Sequence, residues 1–211
     1  MAVEAEPLVL ETLDGVTLRG ELLLPPAPLA AAVVCHPHPL YGGNMDNSVV
    51  DTMVRALAAA GAAALRFDFR GVRQSDGEHG GGADERLDVA AAVDAVAPFA
   101  GDGPLVLAGY SFGALVALSV TDPRVDAWYA VAPPLAGVAS GAVLAATDHR
   151  PKLVEAAEHD QYTPPAAMAA ATADWVATTV ETVPMADHFM AGATSVVAER
   201  AVAFVRSLAA R

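Results

Sequence analysis

Ser111 stands between Gly109 and Gly113 in the segment LAGYSFGAL (107–115), with an apolar run before it and an alanine- and leucine-rich run after it. A hydroxyl at the point where a strand stops and a helix begins is placed for nucleophilic attack. The turn there is sharp, and only small residues fit two positions to either side. The first turn of the helix offers backbone N–H groups without partners. The N–H of Phe112 can then bind a developing oxyanion. The glycines alone also fit a structural serine, so the partners decide.

A serine hydroxyl needs a base, and the base needs an acid to orient it. On a chain of alternating strands and helices the expected order is serine, acid, histidine. Downstream of Ser111 the histidines are His149, His159 and His188. His188, in MADHFMAG, follows the last predicted strand and precedes the last predicted helix. His149 lies in a polar turn and His159 beside Asp160, and both read as solvated. For the acid, Asp160 closes a predicted strand and precedes a Thr-Pro-Pro helix start. Asp187 is adjacent to His188, and neighbours in sequence rarely point at each other. Asp148 and Glu158 are weaker, with Glu158 a back-up carboxylate two residues from Asp160.

A second oxyanion donor is expected from the loop CHPHPLYGGNMDN (35–47). Pro37 and Pro39 have no N–H. His38 is favoured, with Leu40 second. Tyr41 and Gly42 in this loop, and Leu135 in a later apolar loop, are candidate substrate contacts. His36 and His38 lack a third ligand of fitting spacing, so no metal is expected. Cys35 reads as a small buried hydrophobe. Asp68 and Arg70 are expected to tie a strand to the glycine loop after it, and His79 to be mobile among glycines.

The elements that must position these groups follow from the hydrophobic pattern. Residues 7–10 and 16–24 predict a hairpin around Asp14-Gly15. Strands are predicted at 30–36, 63–69, 104–110, 126–131, 150–158 and 177–183. Helices are predicted over MDNSVVDTMVRALAAAG with Asp46 near the start and Gly61 just past the end, over ADERLDVAAAVDAVAPF, from Phe112 to Val120, from Pro164 to Val176 with Thr163 as cap, and from about Thr194 to Arg211. Runs apolar throughout suit strands buried on both faces, and their alternation with helices implies a parallel sheet. The expectation is one three-layer α/β/α domain over 1–211, with a mostly parallel sheet of about eight strands. Ligands then bind beyond the carboxyl ends of the strands.

Composition narrows the partners. With 25 acids against 12 bases, the 211-residue chain carries a net charge of −13 and no basic patch, which excludes nucleic acid as an expected partner and disfavours anionic membranes. The 21 uncharged residues Ala127–Thr147 match a membrane span in length, but Pro133-Pro134, Gly137 and Gly141 interrupt them. They read as a buried strand and an apolar loop. One cysteine and an acidic N-terminus without a basic segment fit the cytoplasm. A homodimer stays open.

Five segments in order, VVCHPHPLYGGNMDN, RFDFRGVRQSDGEHGGG, LAGYSFGA, EHDQYTPP and ADHFM, resemble the α/β-hydrolase superfamily. They are most similar to small lidless bacterial members related to dienelactone hydrolases and short-chain carboxylesterases. The resemblance implies that Ser111 attacks an acyl carbon and that water later releases the acyl-enzyme. It implies a small-molecule ester as substrate and no cofactor. Two departures stand out. Dienelactone hydrolases proper carry a cysteine nucleophile where this chain has Ser111, and Ala157 replaces a common glycine three residues before the acid. Only about 18 residues separate Val131 from Arg150, so no cap domain is expected. Amide hydrolysis or acyl transfer would use the same three residues, and a non-catalytic binding module is a further alternative.

Overall fold

The computed structural model describes residues 3–138 and 141–210. The predicted hairpin forms as β1 (Ala5–Glu11) and β2 (Thr17–Leu23), joined antiparallel. The Thr12 hydroxyl accepts the Val16 N–H at 2.8 Å, and Gly15 takes φ +80, the left-handed conformation that glycine adopts without strain. The remaining strands are β3 (Ala30–Cys35), β4 (Ala62–Asp68), β5 (Leu105–Tyr110), β6 (Ala127–Val131), β7 (Lys152–His159) and β8 (Thr178–Asp187). They form an eight-stranded sheet in the order β1-β2-β4-β3-β5-β6-β7-β8. The hairpin joins antiparallel through β2 and β4, and every later pairing is parallel.

Strands β3, β4, β5 and β6 are buried along their whole length, because helices cover both faces of the sheet. Side chains alternate between two cores. Ala31, Val33, Leu65 and Leu107 face α2 (Glu85–Val96) and α3 (Phe112–Leu118). Ala32, Val34, Ala64 and Val106 face α1 (Ser48–Ala59) and α5 (Thr194–Ala209). The expected three layers are present, with α4 (Pro165–Ala171) beside the last two strands. After β6 the chain forms loops and one short 3-10 helix (Leu144–Thr147), and the described residues hold no inserted cap. No described helix is long and apolar enough to cross a membrane.

Several boundaries differ from the sequence expectation. Helix α1 is capped by Asn47, whose side chain accepts the Val49 N–H at 3.0 Å, while Asp46 pairs with Arg73 at 2.6 Å. Helix α4 is shorter than predicted and has Pro165 in its first turn. Thr163 does not cap it: Pro164 takes the cap position, and the Thr163 hydroxyl bonds to no described residue while its N–H goes to Asp160. Strand β8 runs on past Pro184 to Asp187. It is the last strand of the sheet, and Pro184 falls where its pairing with β7 is interrupted, two settings that tolerate a proline. Between Ala157 and His159 its register against β7 shifts. Arg211, the predicted end of the last helix, lies outside the described residues.

Candidate active site

Ser111 closes the β5–α3 turn with φ 53 and ψ −120, a conformation that costs a non-glycine residue on the order of 1–3 kcal/mol. Its surroundings hold it there. The Ser111 N–H donates to the Val131 carbonyl at 2.8 Å, and its carbonyl accepts from Leu115 at 3.1 Å. The flanking glycines are a steric requirement. A Cβ on Gly109 would lie 2.5 Å from the backbone of Gly113, and one on Gly113 would lie 2.4 Å from the His36 carbonyl oxygen.

Three side chains from three strand ends meet at this turn. Ser111 Oγ is 2.9 Å from His188 Nε2, and His188 Nδ1 is 2.9 Å from Asp160 Oδ2. They are 9%, 6% and 3% exposed in the order Ser111, His188, Asp160. The other carboxylate oxygen of Asp160 accepts the N–H groups of Tyr162 and Thr163 at 2.7 and 3.0 Å. Burial would raise the Asp160 carboxyl, but the His188 hydrogen bond and these two N–H groups outweigh it and hold it below the ordinary carboxylate value. Asp160 therefore stays ionised beside the imidazole. The other candidates point elsewhere. Asp187 accepts the Phe189 N–H, and Glu158 accepts the Met185 N–H at 2.7 Å on the exposed edge. His149 and His159 are exposed.

Tyr110, a residue to which the sequence assigned no role, donates its buried hydroxyl to the His188 carbonyl at 2.8 Å. Burial, followed by the Asp160 charge, pushes its phenol far up, so it remains a donor. The strand that presents the serine thus also grips the backbone of the histidine.

The loop after β3 is pinned by His36. Its Nε2 accepts the Phe69 N–H at 3.0 Å, and its Nδ1 lies 2.6 Å from the Pro37 carbonyl. Burial lowers this imidazole to about 4, so it is neutral, and both ring nitrogens are committed. Within the loop, the N–H groups of Tyr41 and Gly43 go to the His38 carbonyl and that of Gly42 to Pro39. The Leu40 N–H is taken by the His38 ring at 3.3 Å, and the Leu40 side chain is 71% exposed. The N–H groups of His38 and Phe112 bond to no described residue. Of the two expected second donors, the His38 N–H is unbonded among the described residues and the Leu40 N–H is bonded within the loop.

These groups open into a cleft of about 740 Å³, walled by Tyr41 and Gly42 on one side and by Tyr162 and Phe189 on another. Leu135 does not reach it. The chain turns inward after β6, so Leu135 packs into the core and Pro134 and Val138 line the cleft instead. The glycine loop also departs from expectation. His79 Nδ1 lies 2.6 Å from Glu85 Oε1 without hydrogen-bond geometry, and the ring packs tilted against those of His38 and Phe112, with centroids 4.9 and 5.4 Å away. Glu85, fully buried, accepts the N–H groups of Gly80 and Gly82, so this wall is fastened. Arg70 joins the hairpin turn at Asp14 to α2 at Asp88, and Asp68 accepts the Met45 N–H. Their ties thus reach beyond the glycine loop.

The sheet order, the strand-to-helix elbow and the position of its serine define an α/β hydrolase. Residues 27–152 match the family described as serine aminopeptidase, S33 (Hydrolase_4), and the chain belongs to that family. That match ends before Asp160 and His188. The chain is 40% identical over 116 residues to an uncharacterised protein of Rickettsia prowazekii, covering 53% of this chain and 47% of that protein. It is 31% identical over 158 residues to a polyketide transferase of a Penicillium species, covering 71% of this chain and 50% of that protein. The chain spans about half the length of these curated relatives. A lidless α/β serine hydrolase of Xanthomonas campestris superposes with a TM-score of 0.84 at 28% identity, with 98% of this chain and 96% of that chain covered.

Proposed function

We propose that this chain is a serine hydrolase that cleaves carboxylic esters of small or short-chain acyl groups through an acyl-enzyme. The observation that carries this reading is the continuous hydrogen-bonded line from Ser111 Oγ through His188 to Asp160. His188 Nε2 takes the proton as Ser111 Oγ attacks the ester carbonyl. The oxygen of the tetrahedral intermediate is received by the N–H groups of Phe112 and His38. His188 then protonates the departing alcohol. Water attacks the acyl-enzyme with His188 as base again, and His188 returns that proton to Ser111 Oγ as the acyl bond breaks and the acid is released. Asp160 holds the Nδ1–H tautomer and stabilises the imidazolium without taking its proton.

Purified protein is expected to hydrolyse p-nitrophenyl acetate or butyrate and to react with a fluorophosphonate probe. Ser111→Ala should lower kcat by roughly 10⁴-fold or more and abolish labelling. Full turnover by Ser111→Ala would sink this mechanism. A folded wild type that resisted the probe would favour a binding module on the same scaffold.

The family description raises a second reading, aminopeptidase activity. An aminopeptidase must hold the free α-ammonium of its substrate, and a carboxylate is the usual partner for such a cation. No carboxylate lines the described cleft. This favours esters over N-terminal amides. Comparing p-nitrophenyl esters with aminoacyl p-nitroanilides separates the two. Acyl transfer would differ only in the acceptor (the Penicillium relative is described as a polyketide transferase), and added alcohols would then divert product from acid to ester.

A further inference from the structure

The cleft runs away from Ser111 along α3. Ser111, Leu115 and Ser119 stand four residues apart on one helical face, and all three line it. Eight residues of helical rise make this about 12 Å. Beside α3 and packed on it is the glycine loop, where a Cβ on Gly82 would lie 3.5 Å from the Phe112 ring and 4.0 Å from Val116. Four residues on, and also lining the cleft, is Arg86.

Arg86 is the one Lys, Arg, Asp or Glu among the described residues that line the cleft. In a chain with 25 acids to 12 bases, none of the acids faces this space. Seven other arginines, including Arg66, Arg70 and Arg150, are committed to carboxylates. Arg86 makes no ion pair among the described residues, although Asp84 and Glu85 precede it in the chain. Glu85 is taken up by Gly80 and Gly82. Only Nε of Arg86 is bonded, to the Ala83 carbonyl at 3.0 Å. The two terminal nitrogens therefore remain available. A guanidinium so exposed offers two parallel N–H bonds to a planar carboxylate.

We propose that Arg86 is a specificity residue that receives a carboxylate at the far end of the substrate, so the preferred esters are those with a carboxylate on the arm lying along α3. This rests on the ester-hydrolase reading above. The remote carboxylate orients the ester carbonyl toward Ser111, and it distinguishes these esters from neutral ones of equal length.

The test compares isosteric ester pairs by proton release at constant pH. Monomethyl adipate, pimelate and suberate against methyl hexanoate, heptanoate and octanoate place the charge on the acyl arm. An ω-acetoxyhexanoate against hexyl acetate places it on the alcohol arm. In one of the two series kcat/KM is expected to favour the charged ester by about ten- to a hundredfold, the value of a charge-assisted hydrogen-bond pair. Arg86→Gln should bring that ratio to about one and Arg86→Lys should keep part of it, each with an unchanged melting temperature. Arg206→Gln, on exposed α5, should keep the full ratio. A wild-type ratio at or below one in both series would overturn the proposal, as would an undiminished ratio in Arg86→Gln. Preference for a terminal phosphonate over the carboxylate would overturn the assignment of the anion. Turnover of neutral esters without any preference removes this inference alone, whereas no turnover of any ester removes the hydrolase reading with it.

Discussion

The nucleophile and its base are held in opposite ways. Ser111 ends β5, which lies between β3 and β6 and is buried throughout, and backbone contact fixes its turn. His188 follows β8, the last strand of the sheet, most of whose residues are exposed. The His188 ring itself is buried against the rings of Tyr110, Tyr162 and Phe189. It is held by two polar tethers, the Asp160 carboxylate and the Tyr110 hydroxyl. The comparison teaches that one site can combine a steric half, intolerant of any added atom, with a tethered half, whose geometry depends on a few hydrogen bonds.

Substitutions can break each half separately. The largest effect is expected at Asp160→Asn. The amide oxygen can still accept from Tyr162 and Thr163, but an NH₂ facing His188 Nδ1 forces the wrong tautomer. Turnover of p-nitrophenyl butyrate should fall about 10⁴-fold with the fold intact by circular dichroism. Next is Gly113→Ala on the steric half. Its methyl would meet the His36 and Cys35 carbonyl oxygens inside a packed sheet, so the urea midpoint should drop by the equivalent of about 3 kcal/mol or more. Activity should be lost over the same urea range as structure. The smallest is Tyr110→Phe, which leaves the His188 carbonyl without its donor. A loss of about 1 kcal/mol in stability is expected, with kcat down about tenfold and KM nearly unchanged. A Tyr110→Phe enzyme with wild-type kcat would show that Asp160 alone suffices as a tether.

The sequence exposed the steric half more fully than the tethered one. Gly109, Ser111 and Gly113 are close in the chain, so their geometry is local and readable. The order Ser111, Asp160, His188 is readable too, since strand ends in a parallel sheet share an edge. The Tyr110 tether joins residues 78 apart, and no periodicity encodes it. His79 looked mobile because its neighbours are glycines, yet its ring packs against His38 and Phe112, and Glu85, which reads simply as a helix residue, accepts two N–H groups of the loop. Leu135 looked like a wall of the site because its loop is apolar. An apolar loop can also turn inward and join the core, and this one does.

The register shift on β8 has a consequence for how this region can change. Before it, Ala157 pairs with Val183, an offset of 183 − 157 = 26; after it, His159 pairs with Asp187, an offset of 187 − 159 = 28. Only the second offset makes His188 the counterpart of Asp160. An uninterrupted ladder would bring Ala186 there instead. A shift of two keeps every side chain on its own face of the sheet, whereas a shift of one would reverse them all. Pro184 and Met185, both exposed, are therefore freer in identity than in number, whereas Ala186 is buried in the core. Point substitutions leave the count intact, but a deletion of one or two residues removes the base from its acid while the hydrophobic pattern of the strand still reads as sound.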